Sequence, residues 1–367
     1  MLFKLSKIKP TNTMKNGRID VHHHVIPPKF SETMRNRGIN FVAGAPLPKW
    51  TPNDSIELMN LNGIQTAIMS LSCPGVYFGN KNEAIDLARN CNEFSAEMKL
   101  NNPLRFGFFA VLPMPFTGEA CTEAIYALDV LKADGIVLMG STDGKFLGDT
   151  HFDELMSELN RRETTVFVHP NLHETSETLS INTPGFMVEF LCDTTRAAVN
   201  LVLTGTIEKY PRIKWILAHA GGFLPYVAWR ISLGNMMKEI AINAPQGILE
   251  YIKRFYFDTA LSPSPMALAA LKELVEPSHI LFGSDFPFAP APLTALQVDT
   301  LEKSTIITEE EKYGINRGNA LRIFPQFKTE NEEVSSMPTY DSIGFSGKIK
   351  FQLKKPILGI LEKIRNK

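Results

Sequence analysis

The sequence predicts an α/β protein, a (β/α)8 barrel of the TIM type, from three observations. Eight short apolar runs lie between residues 18 and 285, each followed by a helical or loop-plus-helix stretch. The runs are nearly continuous in apolar residues rather than alternating, as parallel strands covered on both faces are. Eight such units over roughly 250–300 residues match the size of a closed barrel. The rival architecture, an open doubly wound sheet, lacks its glycine-rich turn after the first strand here.

The first strand, residues 19–24, ends in His22-His23-His24. Pro27-Pro28 then breaks regular structure, and residues 30–50, rich in Gly, Pro and Asn, read as a long loop of the kind that carries function. Asp54 is placed to cap a helix running to about Asn62, with Gly63 as its stop, before a strand at 66–71. Helices over 82–100, 117–133 and 152–162 alternate with strands at 105–112, 135–139 and 165–169, the last stopped by Pro170. One or two helices fill 184–210, a strand follows at 214–219, and further helices lie between 224 and 253. Strands at 254–259 and 279–285 flank a helix at 264–275.

Both ends differ in character. Residues 1–17 hold Lys4, Lys7, Lys9 and Lys15 without an acid and read as a flexible extension before the barrel, residues 18–324. Residues 325–367 read as a polar linker and a basic tail, with Lys354, Lys355, Lys363, Arg365 and Lys367 beside Ile357, Leu358, Ile360, Leu361 and Ile364. Such a segment can lie on a membrane surface, but one short stretch is a weak basis for that, and packing on its own barrel is the favoured reading. The remaining composition excludes several roles. A net charge of −1 with interspersed signs offers nucleic acid no basic face. No apolar run is long enough to span a bilayer and no secretory leader follows the first methionine. The four cysteines are scattered without CxxC spacing, so free thiols in a reducing, cytoplasmic setting are expected.

Strand alternation turns His22 and His24 to one side and His23 to the other, so His23 is expected to be replaceable. Taken alone, the pair is either half of a metal site or a polar strand end. The ends of the other strands add His169, His219 and Asp285, where barrels of this kind gather their chemistry. Singly, each histidine could be a hydrogen-bonded strand end and Asp285 a helix cap. Together they supply three imidazoles and a carboxylate with one histidine to spare, a set suited to one divalent metal ion, zinc first and manganese as the alternative.

The motifs Asp20-Val-His22-x-His24, Val168-His169-Pro170, His219-Ala-Gly-Gly and Gly283-Ser-Asp285-Phe-Pro287 resemble the amidohydrolase superfamily over about residues 18–324. Within it they resemble the branch containing α-amino-β-carboxymuconate-ε-semialdehyde decarboxylase and the nonoxidative aromatic-acid decarboxylases. The resemblance implies that His22, His24, His169 and Asp285 hold the metal and that His219 is the unligated catalytic histidine. Binuclear relatives carry a bridging lysine at the end of strand four; this chain has Met139 there, and Lys132 lies before the strand, so one metal is implied.

Two reactions fit that set. A decarboxylase would chelate a substrate carboxylate and a neighbouring oxygen, with His219 or Asp285 managing the proton that replaces CO2. A hydrolase would turn water on a lactone or amide carbonyl, with His219 as base. Aromatic, sparsely charged stretches at 46–52, 70–78 and 286–288 favour a small aromatic acid, with Lys49, Trp50 and Phe286 as candidate contacts, and their wording is similar to 6-methylsalicylate decarboxylases. A substrate-binding arginine of the aminocarboxymuconate enzymes aligns near Ser55, which implies a monocarboxylic substrate. Their second arginine, supplied across a dimer interface, matches Arg230 and implies a homodimer.

Overall fold

A computed structural model describes residues 17–179 and 182–329, together with 332, 334, 337 and 340. The basic tail and all but the last residue of the N-terminal extension lie outside the described residues. Eight strands form one parallel sheet in chain order: β1 (Arg18–His24), β2 (Ile64–Ser70), β3 (Phe106–Val111), β4 (Gly135–Met139), β5 (Thr165–His169), β6 (Lys214–Leu217), β7 (Tyr256–Asp258) and β8 (Ile280–Leu281). The two ends of the sheet meet. Val21 N–H donates to Phe282 O at 2.9 Å and His24 N–H to Phe286 O at 2.6 Å, so the segment after β8 runs alongside β1 and closes the barrel.

The continuous apolar runs follow from this arrangement, because alternate residues of each strand enter two different cores. Phe106, Phe108, Ile136, Leu138, Val166 and Val168 pack outward against helix residues such as Ala120, Leu155 and Leu201. Ile68, Phe109, Val111, Val137, Phe167 and Ile216 fill the other core, where the rings of Phe109 and Phe167 stack at 5.4 Å.

Two local expectations change. Residues 30–50 are not one long loop: helix α1 (Pro28–Asn36) opens the segment, and a small hairpin pairs Phe41–Val42 with Ala45–Pro46. Pro28 sits in the first turn, where its fixed φ suits the helix and its missing N–H is not needed. Helix α2 spans Pro52–Leu61, with Thr51 rather than Asp54 as its cap; Asp54, three residues on, accepts the Thr51 N–H at 2.7 Å. The hairpin tip reaches the helix that follows β5, α3 (Gly185–Leu203). Phe186 N–H donates to Ala43 O at 3.1 Å, and Gly44, at φ +88°, lies so close to Pro184 that a Cβ would stand 2.8 Å from its Cβ.

The chain just beyond the barrel helices is stitched back to it. The buried Arg317 guanidinium donates to both Glu332 carboxylate oxygens, at 2.6 and 2.7 Å, and to Gly17 O at 2.8 Å.

Candidate metal centre

At the end of β1 the register slips: Asp20 pairs with Ala67 but His23 with Met69, three residues against two. The slip sets the side chains of Asp20 and His23 together on one side, Oδ2 to Nδ1 at 3.1 Å, which strict alternation would forbid. His22 and His24 still share the other side, their Nε2 atoms 3.0 Å apart. Asp285 Oδ1 approaches those two nitrogens at 3.3 and 3.0 Å. His169 completes the group, and the four ligand atoms lie within 4.8 Å of one another, all on buried residues. Side chains from three strand ends distant in sequence therefore converge on one point.

The chemistry of the donor set fits a cation. His22 Nδ1 meets Asp258 Oδ2 at 2.7 Å, His24 Nδ1 meets Ser70 O at 3.2 Å, and His169 Nδ1 meets Pro170 O at 2.8 Å. These acceptor oxygens require an N–H on each Nδ1, which leaves each neutral Nε2 with a bare lone pair facing inward. Three lone pairs and a carboxylate aimed at one buried point repel one another unless a positive charge sits between them. The titration tendencies show the same demand for positive charge, which a cation or a proton on His22 would meet. Burial disfavours charge on His22, yet Asp258 and Asp285 overcome it and push the imidazole up to about 10. Burial lowers His24, and burial together with neighbouring imidazoles carries His169 well down. Burial alone would raise Asp285, but His219, His22 and His24 hold it well below the usual carboxylate range.

His219 stands beside the cluster, Nε2 3.7 Å from Asp285 Oδ2, while its buried Nδ1 has no hydrogen-bond partner among the described residues. It is therefore a titratable group next to the ligand set but outside it. His219, Ala220 and Asp285 all adopt left-handed backbone, φ +54°, +56° and +62°, a conformation that costs a non-glycine residue roughly 1–3 kcal/mol and clusters at functional sites.

Several residues of the site were not singled out in the sequence. Asp258, ending β7, is fully buried and binds both His22 and the backbone N–H of His219, the latter at 2.9 Å. A lone acid closing an apolar strand was the available signal. Phe288 packs its ring against His24, 5.4 Å between centroids, whereas the expected contact Phe286 lies against His23, 5.3 Å away, on the side turned from the ligands. Lys49 and Trp50 line a cavity of about 900 Å³ with Arg35, Phe41 and Asp54, and none of the four ligands lines it. Arg230 is exposed on helix α4 (Leu224–Ser232).

Ligands from strands one, five and eight and a free histidine after strand six can be set beside known proteins. The amidohydrolase family pattern matches residues 19–326. The chain belongs to the amidohydrolase family. Among its curated relatives, the amidohydrolase chain is 38% identical over 325 residues to the decarboxylase yanB of Aspergillus niger, covering 85% of this chain and 88% of that one. It is 35% identical over 318 residues to the 6-methylsalicylic acid decarboxylase of Penicillium expansum, covering 85% and 97%. A solved structure of an amidohydrolase II superposes with TM-score 0.79 at 31% identity, over 84% of this chain and 99% of the other. The dihydroxybenzoic acid decarboxylase of Polaromonas, solved with manganese and 2-nitroresorcinol, superposes with TM-score 0.71 at 25% identity, over 86% and 99%.

Proposed function

We propose that this amidohydrolase removes CO2 from a small hydroxybenzoate-type acid, with 6-methylsalicylate as first candidate. The observation that carries the proposal is the buried set of three bare imidazole nitrogens and one carboxylate, in a chain 35% identical along most of its length to a 6-methylsalicylic acid decarboxylase. A divalent ion held by His22, His24, His169 and Asp285 would bind and polarise the substrate carboxylate and its neighbouring hydroxyl oxygen. Zinc suits the ligand types, and manganese, present in the Polaromonas relative, is the alternative.

The chain's own groups then have defined tasks. Phe288 walls the site beside His24 and gives an aromatic ring an apolar face. As the C–CO2 bond breaks, its electron pair stays on the ring carbon and a proton must arrive there. His219, next to Asp285, is the group we assign to deliver it. Ser55, where an arginine would anchor a second carboxylate, is fully buried and bonded to His23 and Trp50, in keeping with a monocarboxylic substrate.

The protein is further proposed to act as a homodimer in the cytoplasm. Phe223, Tyr226, Trp229, Leu233 and Met236 expose large apolar side chains along and beside α4, and Arg230 on that helix would reach a second copy. The four cysteines are free, and no helix among the described residues is long and apolar enough to cross a membrane.

The test is a panel of aromatic acids and lactones given to metal-replete protein. Release of CO2 with formation of the corresponding phenol is expected, from 6-methylsalicylate first. Opening of a lactone with no CO2 from any acid would overturn the reading in favour of hydrolysis.

A further inference from the structure

His23, on the side of β1 turned from the ligands, is fully buried and hydrogen-bonded through both ring nitrogens. The directions of the surrounding bonds are fixed by chemistry. An indole N–H can only donate, so Trp50 Nε1–H donates to Ser55 Oγ at 2.9 Å. A carboxylate can only accept, so the His23 N–H lies on Nδ1, facing Asp20 Oδ2 at 3.1 Å, and the Ser55 hydroxyl donates to the remaining ring nitrogen, Nε2, at 2.8 Å. Asp20 in turn accepts from Ser284 Oγ at 2.6 Å and from the backbone N–H groups of Ser284 and His22, at 3.0 and 3.1 Å. Its carboxylate thus grips the chain at ligand His22 and at the residue preceding ligand Asp285. Asp285 is held in left-handed backbone, a conformation that persists only where the surroundings over-determine it.

We propose that His23 is a positioning residue for the metal site, and that Trp50, Ser55, His23 and Asp20 form a one-way hydrogen-bond chain that holds Asp285 and His22 in ligating geometry. The relay rests on the metal reading of the four-ligand cluster. It replaces the sequence expectation that His23 is dispensable: the register slip that puts His23 beside Asp20 turns a residue of the outer face into the support of the inner one. The chain also connects the wall of the cavity lined by Trp50 to the metal ligands through side chains that, from Ser55 inward, are fully buried.

The test compares three substitutions at one position in the full chain. His23→Asn keeps a donor near the Nδ1 position and so the bond to Asp20. His23→Gln keeps only the reach toward Ser55, and His23→Leu keeps neither. Metal-stripped proteins, shown folded by circular dichroism, are titrated with zinc and with manganese ions against a chromophoric chelator. His23→Gln and His23→Leu are expected to bind about 10–100-fold more weakly than wild type, the range typical of lost support behind a ligand, and His23→Asn, which keeps the bond to Asp20 but gives up the one to Ser55, to fall between them and wild type. Trp50→Phe, which removes one N–H and keeps the ring's bulk, should weaken binding in the same direction by less. Equal affinity in His23→Asn and His23→Gln overturns the proposal even if His23→Leu fails to fold, as does wild-type affinity in His23→Leu. A wild-type chain that held neither ion would overturn the metal site itself, and the relay with it.

Discussion

Asp258 holds His22 from behind: its Oδ2 accepts the His22 Nδ1–H at 2.7 Å, and its Oδ1 accepts the backbone N–H of His219 at 2.9 Å. One carboxylate therefore fixes both the tautomer of a ligand and the position of the free histidine. Asp258→Asn removes the charge and offers an amide that can present the wrong group to Nδ1. Metal affinity or turnover is expected to fall about 10–100-fold. Chelator competition on the stripped protein and kcat on the loaded one separate the two effects.

Gly283 supplies room for the same pair. A Cβ there would stand 2.8 Å from His22 Cβ and 3.2 Å from the Cβ atoms of Ala260 and Asp258. None of these is the far end of a flexible side chain, so Gly283→Ala must push β8 away from β1. The expected outcome is a protein that loses metal content by elemental analysis and melts lower, by roughly 1–3 kcal/mol of overpacking cost. Unchanged metal content would mean that the strand ends yield without moving His22.

How much of this was readable beforehand depended on whether a feature was local. Strand and helix positions followed from apolar runs and from stops such as Gly63 and Pro170, which act within their own segment. His22, His24, His169 and Asp285 were legible because each lies close to the C-terminal end of a strand, and the barrel brings those ends to one mouth. The support behind them was not. The roles of His23, Asp20 and Ser284 depend on a register slip set by pairing with β2 and on a residue 264 positions away, and nothing in the local pattern announces either. Of the aromatic stretch 286–288, Phe288 packs on His24 and the named contact Phe286 on His23, because which one faces the ligands depends on the backbone around Asp285, which takes a left-handed φ of +62° that a strand reading does not contain.

His219→Asn tests the division of labour between ligands and free histidine. His219 is outside the four-ligand set, so the variant should keep its metal while kcat falls about 10²–10⁴-fold, the usual contribution of a positioned proton donor. Elemental analysis beside steady-state rates makes the comparison. Loss of metal along with rate would make His219 a ligand instead.

The pair between Arg317 and Glu332 yields a pH prediction away from the metal. The Arg317 guanidinium holds the Glu332 carboxyl down to about 2 against the opposing effect of burial, aided by Thr329. A carboxyl depressed in the folded state stabilises the fold at every pH above its unfolded value, near 4.5. That contribution is lost as pH falls from about 4.5 toward 2. Glu332→Gln leaves Arg317 buried without its partner and is expected to cost about 3 kcal/mol at neutral pH, as breaking a buried pair does. The difference in stability between wild type and variant, measured by urea denaturation at a series of pH values, should be constant from pH 7 to 5 and shrink steadily below 4.5. A difference that stays constant to pH 3 would show that Glu332 contributes by packing and not by charge.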